Sequence, residues 1–80
     1  MNIQHIEKTN RFIIELDGGL EAELKYRMVG DKSIDFYSTF VPNTHRGKGI
    51  AAKLVKTGID WASKMGYEIH ASCWYARNHL

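Results

Sequence analysis

Between Val41 and Lys48 the apolar residues of this chain stop recurring at every second position and begin recurring every 3.6 positions. A change of period from two to 3.6 makes strands followed by a helix, an α+β arrangement in which the helix covers one sheet face. Upstream of the change, Leu20, Ala22, Leu24, Tyr26 and Met28 alternate with Glu21, Glu23, Lys25 and Arg27. This is the clearest strand pattern in the chain. Arg11–Leu16 alternates in the same way, with Phe12, Ile14 and Leu16 on one side, and Asp17-Gly18-Gly19 supplies a hairpin turn after it. Gly30-Asp31-Lys32 is the next turn, leading into Ser33–Val41. There Ile34, Phe36, Ser38 and Phe40 are expected on one face, with Asp35, Tyr37, Thr39 and Val41 on the other. Met1–Lys8, around Ile3 and Ile6, is a further strand candidate.

Pro42 cannot donate a ladder hydrogen bond and ends the last of these strands. The helix is expected over Lys48–Lys64. Ile50, Ala51, Leu54, Val55, Gly58, Trp61, Ala62 and Met65 share one broad face, with Lys53, Lys56, Asp60 and Lys64 opposite. Gly58 on the apolar face costs roughly 1 kcal/mol in helix propensity against alanine. It makes sense where the helix must approach the sheet closely. Gly66 is a natural C-terminal stop, Tyr67–Cys73 reads as a final strand, and a short segment able to begin a helix follows. The order is ββββαβ: an antiparallel meander, one main helix and a C-terminal strand.

Eighty residues make one domain, over 1–80, close to the lower limit for a self-sufficient core. The net charge of +2 carries no argument for nucleic acid, and no run of like charges marks a basic tail. No apolar stretch reaches the length of a membrane span, and Met1–Glu7 lacks the apolar core of a signal peptide. Cys73 is the only cysteine, which excludes an internal disulfide and suits a reducing, cytoplasmic setting. His70, Cys73 and His79 lack a fourth ligand, and the strand period turns His70 and Cys73 to different faces, so no metal site is expected.

The chemistry is concentrated where the period changes. Arg46-Gly47-Lys48-Gly49-Ile50-Ala51 joins strand to helix. Two glycines let the backbone turn sharply and approach a ligand. The first helical turn has N–H groups without intrahelical partners, and the helix dipole adds positive potential. Arg46 and Lys48 add formal charge. Such a junction suits phosphate or pyrophosphate.

The spacing R-x-x-G-x-A resembles the coenzyme A pyrophosphate loop of the GNAT acetyltransferase superfamily. Asp35–Pro42, Arg46–Val55 and Ser72–Tyr75 occur in the order seen in small, single-domain GNAT-related N-acetyltransferases, and the resemblance runs from about Ile6 to Tyr75. It implies a minimal GNAT-like fold, α+β, with the final strand parallel to Ser33–Val41. The pantetheine arm would lie in the V where these two strands splay. Backbone groups near Phe40 and Val41 would bind the pantetheine amides, and Arg46, Gly47, Lys48, Gly49, Ile50 and Ala51 the pyrophosphate. Asn78 is a further candidate contact to coenzyme A. The implied function is acetyl-CoA-dependent transfer of an acetyl group to an amine whose identity the chain does not reveal. No metal, nucleic acid or membrane is implied, and the expected state is a monomer or weak homodimer.

Cys73 stands where the resemblance places a cysteine just beyond the final strand. It is open to three readings: an acetyl-accepting nucleophile, a proton-transfer group, or a small buried packing residue. Tyr75 resembles the tyrosine that donates a proton to the departing thiolate, and it equally suits an aromatic covering the core edge. Many relatives have histidine where Ser38 stands. Neutral serine is a poor general base, so that histidine's role does not carry over. The alternative reading is a non-catalytic acyl-CoA-binding module.

Overall fold

The structure is a computed structural model that describes residues 2–80. In chain order it contains β1 (Ile3–Ile6), β2 (Arg11–Glu15), β3 (Glu21–Met28), β4 (Ser33–Phe40), α1 (Ile50–Lys64), β5 (Glu68–Ala71) and α2 (Trp74–Arg77). The strands form one sheet in sequence order. β1 to β4 pair antiparallel, and β5, returned by α1, pairs parallel with β4. This is the α+β arrangement expected from the change of period. The expected strand at Met1–Lys8 is narrower, and Met1 lies outside the described residues. The helix begins two residues later than expected, because Gly49 holds a left-handed φ of 76° and serves as its N-cap.

Inward-facing Phe12 and Ile14 of β2, Ala22, Leu24 and Tyr26 of β3, and Ile34 and Phe36 of β4 meet Ile50, Leu54, Val55 and Ala62 of α1. Three assignments to the apolar faces fail at their ends. Leu20, Met28 and Met65 are exposed, the first lying before β3 begins, the second at its last residue and the third after α1 has ended. The helix terminates as Gly66 suggests. That residue has φ 77°, and Tyr67 N–H donates to Ala62 O at 3.0 Å across it.

Gly58 is where α1 comes nearest the sheet. A Cβ there would stand 2.8 Å from Leu24 Cδ2 and 2.9 Å from Phe36 Cε1. Both neighbours are fully buried. Gly58→Ala therefore gains about 1 kcal/mol of helix propensity and loses about 1–3 kcal/mol to overpacking. The expected result is net destabilisation, read as a lower urea midpoint at unchanged slope.

One register break positions the site. Pairing of β3 with β4 runs Met28↔Ile34, Arg27↔Asp35, Tyr26↔Phe36 and then skips a residue to Lys25↔Ser38, Leu24↔Thr39 and Glu23↔Phe40. Tyr37 is the extra residue of a β-bulge. Directly opposed residues share a face, so the bulge reverses the strand's parity. Thr39, opposite inward-facing Leu24, turns towards the helix side. Ser38, opposite Lys25, turns to the uncovered face. The expected grouping of Ser38 and Phe40 with Ile34 and Phe36 is thus corrected: an uninterrupted period of two does not hold across a strand that contains a bulge.

Candidate functional site

The β4–β5 ladder ends at Phe36↔Ala71, and its last link is Cys73 N–H to Phe36 O at 3.1 Å. β4 continues to Phe40, whereas the chain after Ala71 turns away through Ser72 into α2. The two strands part there, leaving Tyr37–Phe40 without a ladder partner in β5. A cavity of about 430 Å³ opens from this fork, lined by Thr39, Phe40 and Val41, by His45 to Ala51 apart from Lys48, and by Cys73, Trp74 and Tyr75.

Its basic end is built by a compact junction. Pro42 is followed by a turn in which His45 N–H donates to Pro42 O at 2.9 Å. Arg46 Nε donates to Val41 O at 3.1 Å, pinning the guanidinium against the end of the strand. Gly47 has φ 82°, like Gly49 in the region that side chains with Cβ rarely adopt. The first intrahelical bond is Lys53 N–H to Gly49 O, 3.2 Å. The N–H groups of Ile50, Ala51 and Ala52 therefore have no helical acceptor and are available to an anion.

At the opposite end, Cys73 Sγ is half-buried and lies 3.5 Å from Thr39 Oγ1. Burial pushes this thiol up, but hydrogen bonds from the Thr39 hydroxyl and from backbone at Ala76, Tyr75 and Thr39 outweigh it. Its pKa falls below the ordinary cysteine value. Tyr75 lies beside it in the wall. Phe40 and Trp74 form the exposed rim, Trp74 being 72% exposed.

The fork itself is fastened from the far face. Asp35, 5% exposed, is the buried charged residue among those described. Its Oδ1 accepts from Ser72 N–H at 2.8 Å, and Oδ2 accepts from Ser72 Oγ at 2.7 Å and Arg27 Nη2 at 2.9 Å. Burial alone would raise this carboxyl. The two Ser72 hydrogen bonds and Arg27 reverse that and hold it below the usual carboxylate range. Since the folded pKa is depressed, the stabilisation is complete above the unfolded value of about 3.9 and is lost as pH falls through the folded pKa. Thermal melts should drop below about pH 4, and Asp35→Asn should flatten that drop.

Of the expected site residues, the structure brings together Phe40, Val41, Arg46, Gly47, Gly49, Ile50, Ala51, Cys73 and Tyr75 around one cavity. Lys48 lies within the loop but outside the cavity wall. Asn78 follows α2, exposed, and is also outside it. Ser38 lies across the strand from the wall. Thr39, His45 and Trp74 complete the wall. His70 faces outward in register with Asp35, away from Cys73. No helix among the described residues is long and apolar enough to cross a membrane.

Comparison with known proteins gives an independent view of this arrangement. A family model described as GCN5-related N-acetyl-transferase matches residues 11–80. The chain is 36% identical to Protein NATD1 of Danio rerio and 33% identical to Protein NATD1 of Xenopus tropicalis. Each match spans all of this chain and 74% of the relative. A solution structure of a Staphylococcus aureus protein described as GCN5-like superposes with a TM-score of 0.74 at 33% identity, covering 99% of this chain and 76% of that one.

Proposed function

The chain belongs to the GCN5-related N-acetyltransferase family, and from that premise we propose that it transfers an acetyl group from acetyl-CoA to an amine. The observation that carries this reading is a single cavity with three chemically distinct parts. Free helix-end N–H groups and Arg46 stand at one end for a pyrophosphate. The unpartnered edge of β4 at Phe40 and Val41 pairs with pantetheine amides as an added strand would. Cys73, Thr39 and Tyr75 stand at the fork for the thioester.

In the overall reaction the neutral amine nitrogen bonds to the thioester carbonyl carbon, the C–S bond breaks, and the amine's surplus proton ends on the coenzyme A thiolate. Cys73 supports this in one of two ways. Its thiolate takes the acetyl group first and passes it to the amine, or its thiol relays the proton. Tyr75 supplies a phenolic O–H that donates to the departing sulfur.

The second reading, a module that binds acyl-CoA without turnover, draws its support from Ser38, which offers no base and faces away from the cavity. Continuous detection of thiol release from acetyl-CoA over a panel of amines separates the two. Amine-dependent release above the hydrolytic background is the expected result. Tight acetyl-CoA binding by calorimetry with no release from any amine would favour the binding module.

A further inference from the structure

Cys73 is the only cysteine of the chain. It sits half-buried in the wall of the cavity that also carries Arg46, Gly47 and Gly49. Its backbone is fixed on both sides, the N–H donating to Phe36 O at 3.1 Å and the carbonyl accepting from Arg77 N–H at 3.0 Å. Rotation about Cα–Cβ is the freedom left to the sulfur, and Thr39 Oγ1 at 3.5 Å gives it a preferred position. Thr39 and Val41 are two strand residues apart, about 7 Å. The sulfur is held beside the first, and the Arg46 guanidinium against the second. A pantetheine arm, with pyrophosphate at one end and sulfur at the other, covers that span.

Both catalytic roles open to Cys73 demand closeness to the coenzyme's own sulfur, because the acetyl carbonyl carbon is bonded directly to it. A thiol placed for either role is therefore also placed for thiol–disulfide exchange. Hydrogen bonds hold the Cys73 pKa below its ordinary value, which raises the thiolate fraction at neutral pH. The exposed rim at Phe40 and Trp74 leaves a way out for a departing thiolate. With no second cysteine in the chain to resolve it, a mixed disulfide formed here persists until an external thiol removes it.

We propose that Cys73 is a redox modification site selective for coenzyme A, taking one coenzyme A from a disulfide of that coenzyme and thereby closing the cavity to acetyl-CoA. The proposal rests on the reading of this cavity as a coenzyme A site. The Cys73 thiolate attacks the coenzyme sulfur held at the fork. The new S–S bond forms as the old one breaks, and the electron pair leaves on the second thiolate. That thiolate ends with the proton lost by Cys73. The protein sulfur is oxidised and the released thiol reduced, so the disulfide is the whole oxidant. Selectivity comes from the loop at the other end, which holds the pyrophosphate and converts a collision into a step between bound neighbours.

The test is intact-protein mass spectrometry of the unaltered chain with coenzyme A disulfide or oxidised glutathione at equal concentration. Glutathione leaves at least as readily as coenzyme A, so preference for the coenzyme has to come from binding. The expected adduct adds one coenzyme A less two hydrogens. It should form about a hundredfold faster than the glutathione adduct, with a rate that saturates in disulfide concentration. Dithiothreitol should remove it, and Cys73→Ala should never acquire it. Gly49→Asp should slow the coenzyme reaction towards the glutathione rate while leaving the glutathione rate unchanged. The modified protein should lose acetyl-CoA binding by calorimetry and regain it on reduction. Equal, non-saturating rates with the two disulfides overturn the proposal. So does a coenzyme rate that Gly49→Asp leaves untouched. Coenzyme A that binds by calorimetry while its disulfide forms no adduct sinks the modification alone. If coenzyme A does not bind at all, the reading of the cavity falls with it.

Discussion

Gly49→Asp is expected to leave the fold intact and to weaken coenzyme A binding on the order of a hundredfold. Gly49 caps α1 with φ 76°, and a Cβ built there meets nothing within 4 Å. The cost to folding is therefore conformational, roughly 1–2 kcal/mol for a left-handed residue, and aspartate tolerates that region better than most. The cost to binding is electrostatic. A carboxylate would stand beside the free N–H groups of Ile50 and Ala51, where the pyrophosphate belongs. Like charges about 4 Å apart repel by about 4 kcal/mol at an effective dielectric of 20, and solvent at this exposed loop screens part of it. Gly49→Ala carries the strain without the charge and should bind far better than the aspartate variant. Calorimetry that finds both variants binding like the unaltered protein would remove the loop from the mechanism.

Cys73→Ala should lower turnover by roughly 10²–10⁴, the range for loss of an acid–base group, while coenzyme A affinity is retained. The pyrophosphate loop lies at the other end of the cavity, so the two ends separate binding from rate. If the sulfur accepts the acetyl group, incubation with acetyl-CoA leaves a hydroxylamine-labile adduct on Cys73, and Cys73→Ala abolishes it. If the thiol relays a proton, no adduct accumulates and only the rate falls. Because Thr39 and the α2 backbone hold the thiol below its ordinary pKa, the nucleophile case also has a pH signature. Activity rises through a pKa lower than that of a free cysteine, and Thr39→Val moves this limb upward. An unchanged rate in folded Cys73→Ala would reduce the residue to packing.

What could be read in the residues was whatever is written as a period or as a local backbone demand. Alternation in Leu20–Met28 and the 3.6-residue stripe from Ile50 to Ala62 state which sides are buried. Gly66 marks a helix end, and the glycines of Arg46–Ala51 mark the strand-to-helix junction, both of them taking positive φ there. Gly58 announced a close approach before Leu24 and Phe36 could be named as the neighbours.

The bulge at Tyr37 carries no such mark. It is a property of how β4 pairs with β3, and Tyr37-Ser38-Thr39 reads equally well as regular strand. A strict period of two therefore puts Thr39 on the wrong side of the sheet and hides its contact with Cys73. The partnership of Asp35 with Ser72, 37 positions apart, likewise belongs to the tertiary structure alone. A carboxylate within a strand otherwise suggests an exposed face.

The Ser38→His substitution takes a new meaning from that geometry. On the uncovered face, opposite Lys25, a histidine would reach the fork from the side opposite the thioester. Any gain in turnover would then come from a base acting on the incoming amine.

The fork at Phe36 and Ala71 also bears on kinetics. The strands separate because the bulge turns β4, Asp35 locks Ser72, and Gly58 lets α1 press against Leu24 and Phe36. None of these depends on an occupant. The molecule has already met the cost of parting two strands, so a ligand entering the gap has no gate to wait for. Stopped-flow association of coenzyme A should stay linear in concentration, without the plateau that a preceding opening step would impose.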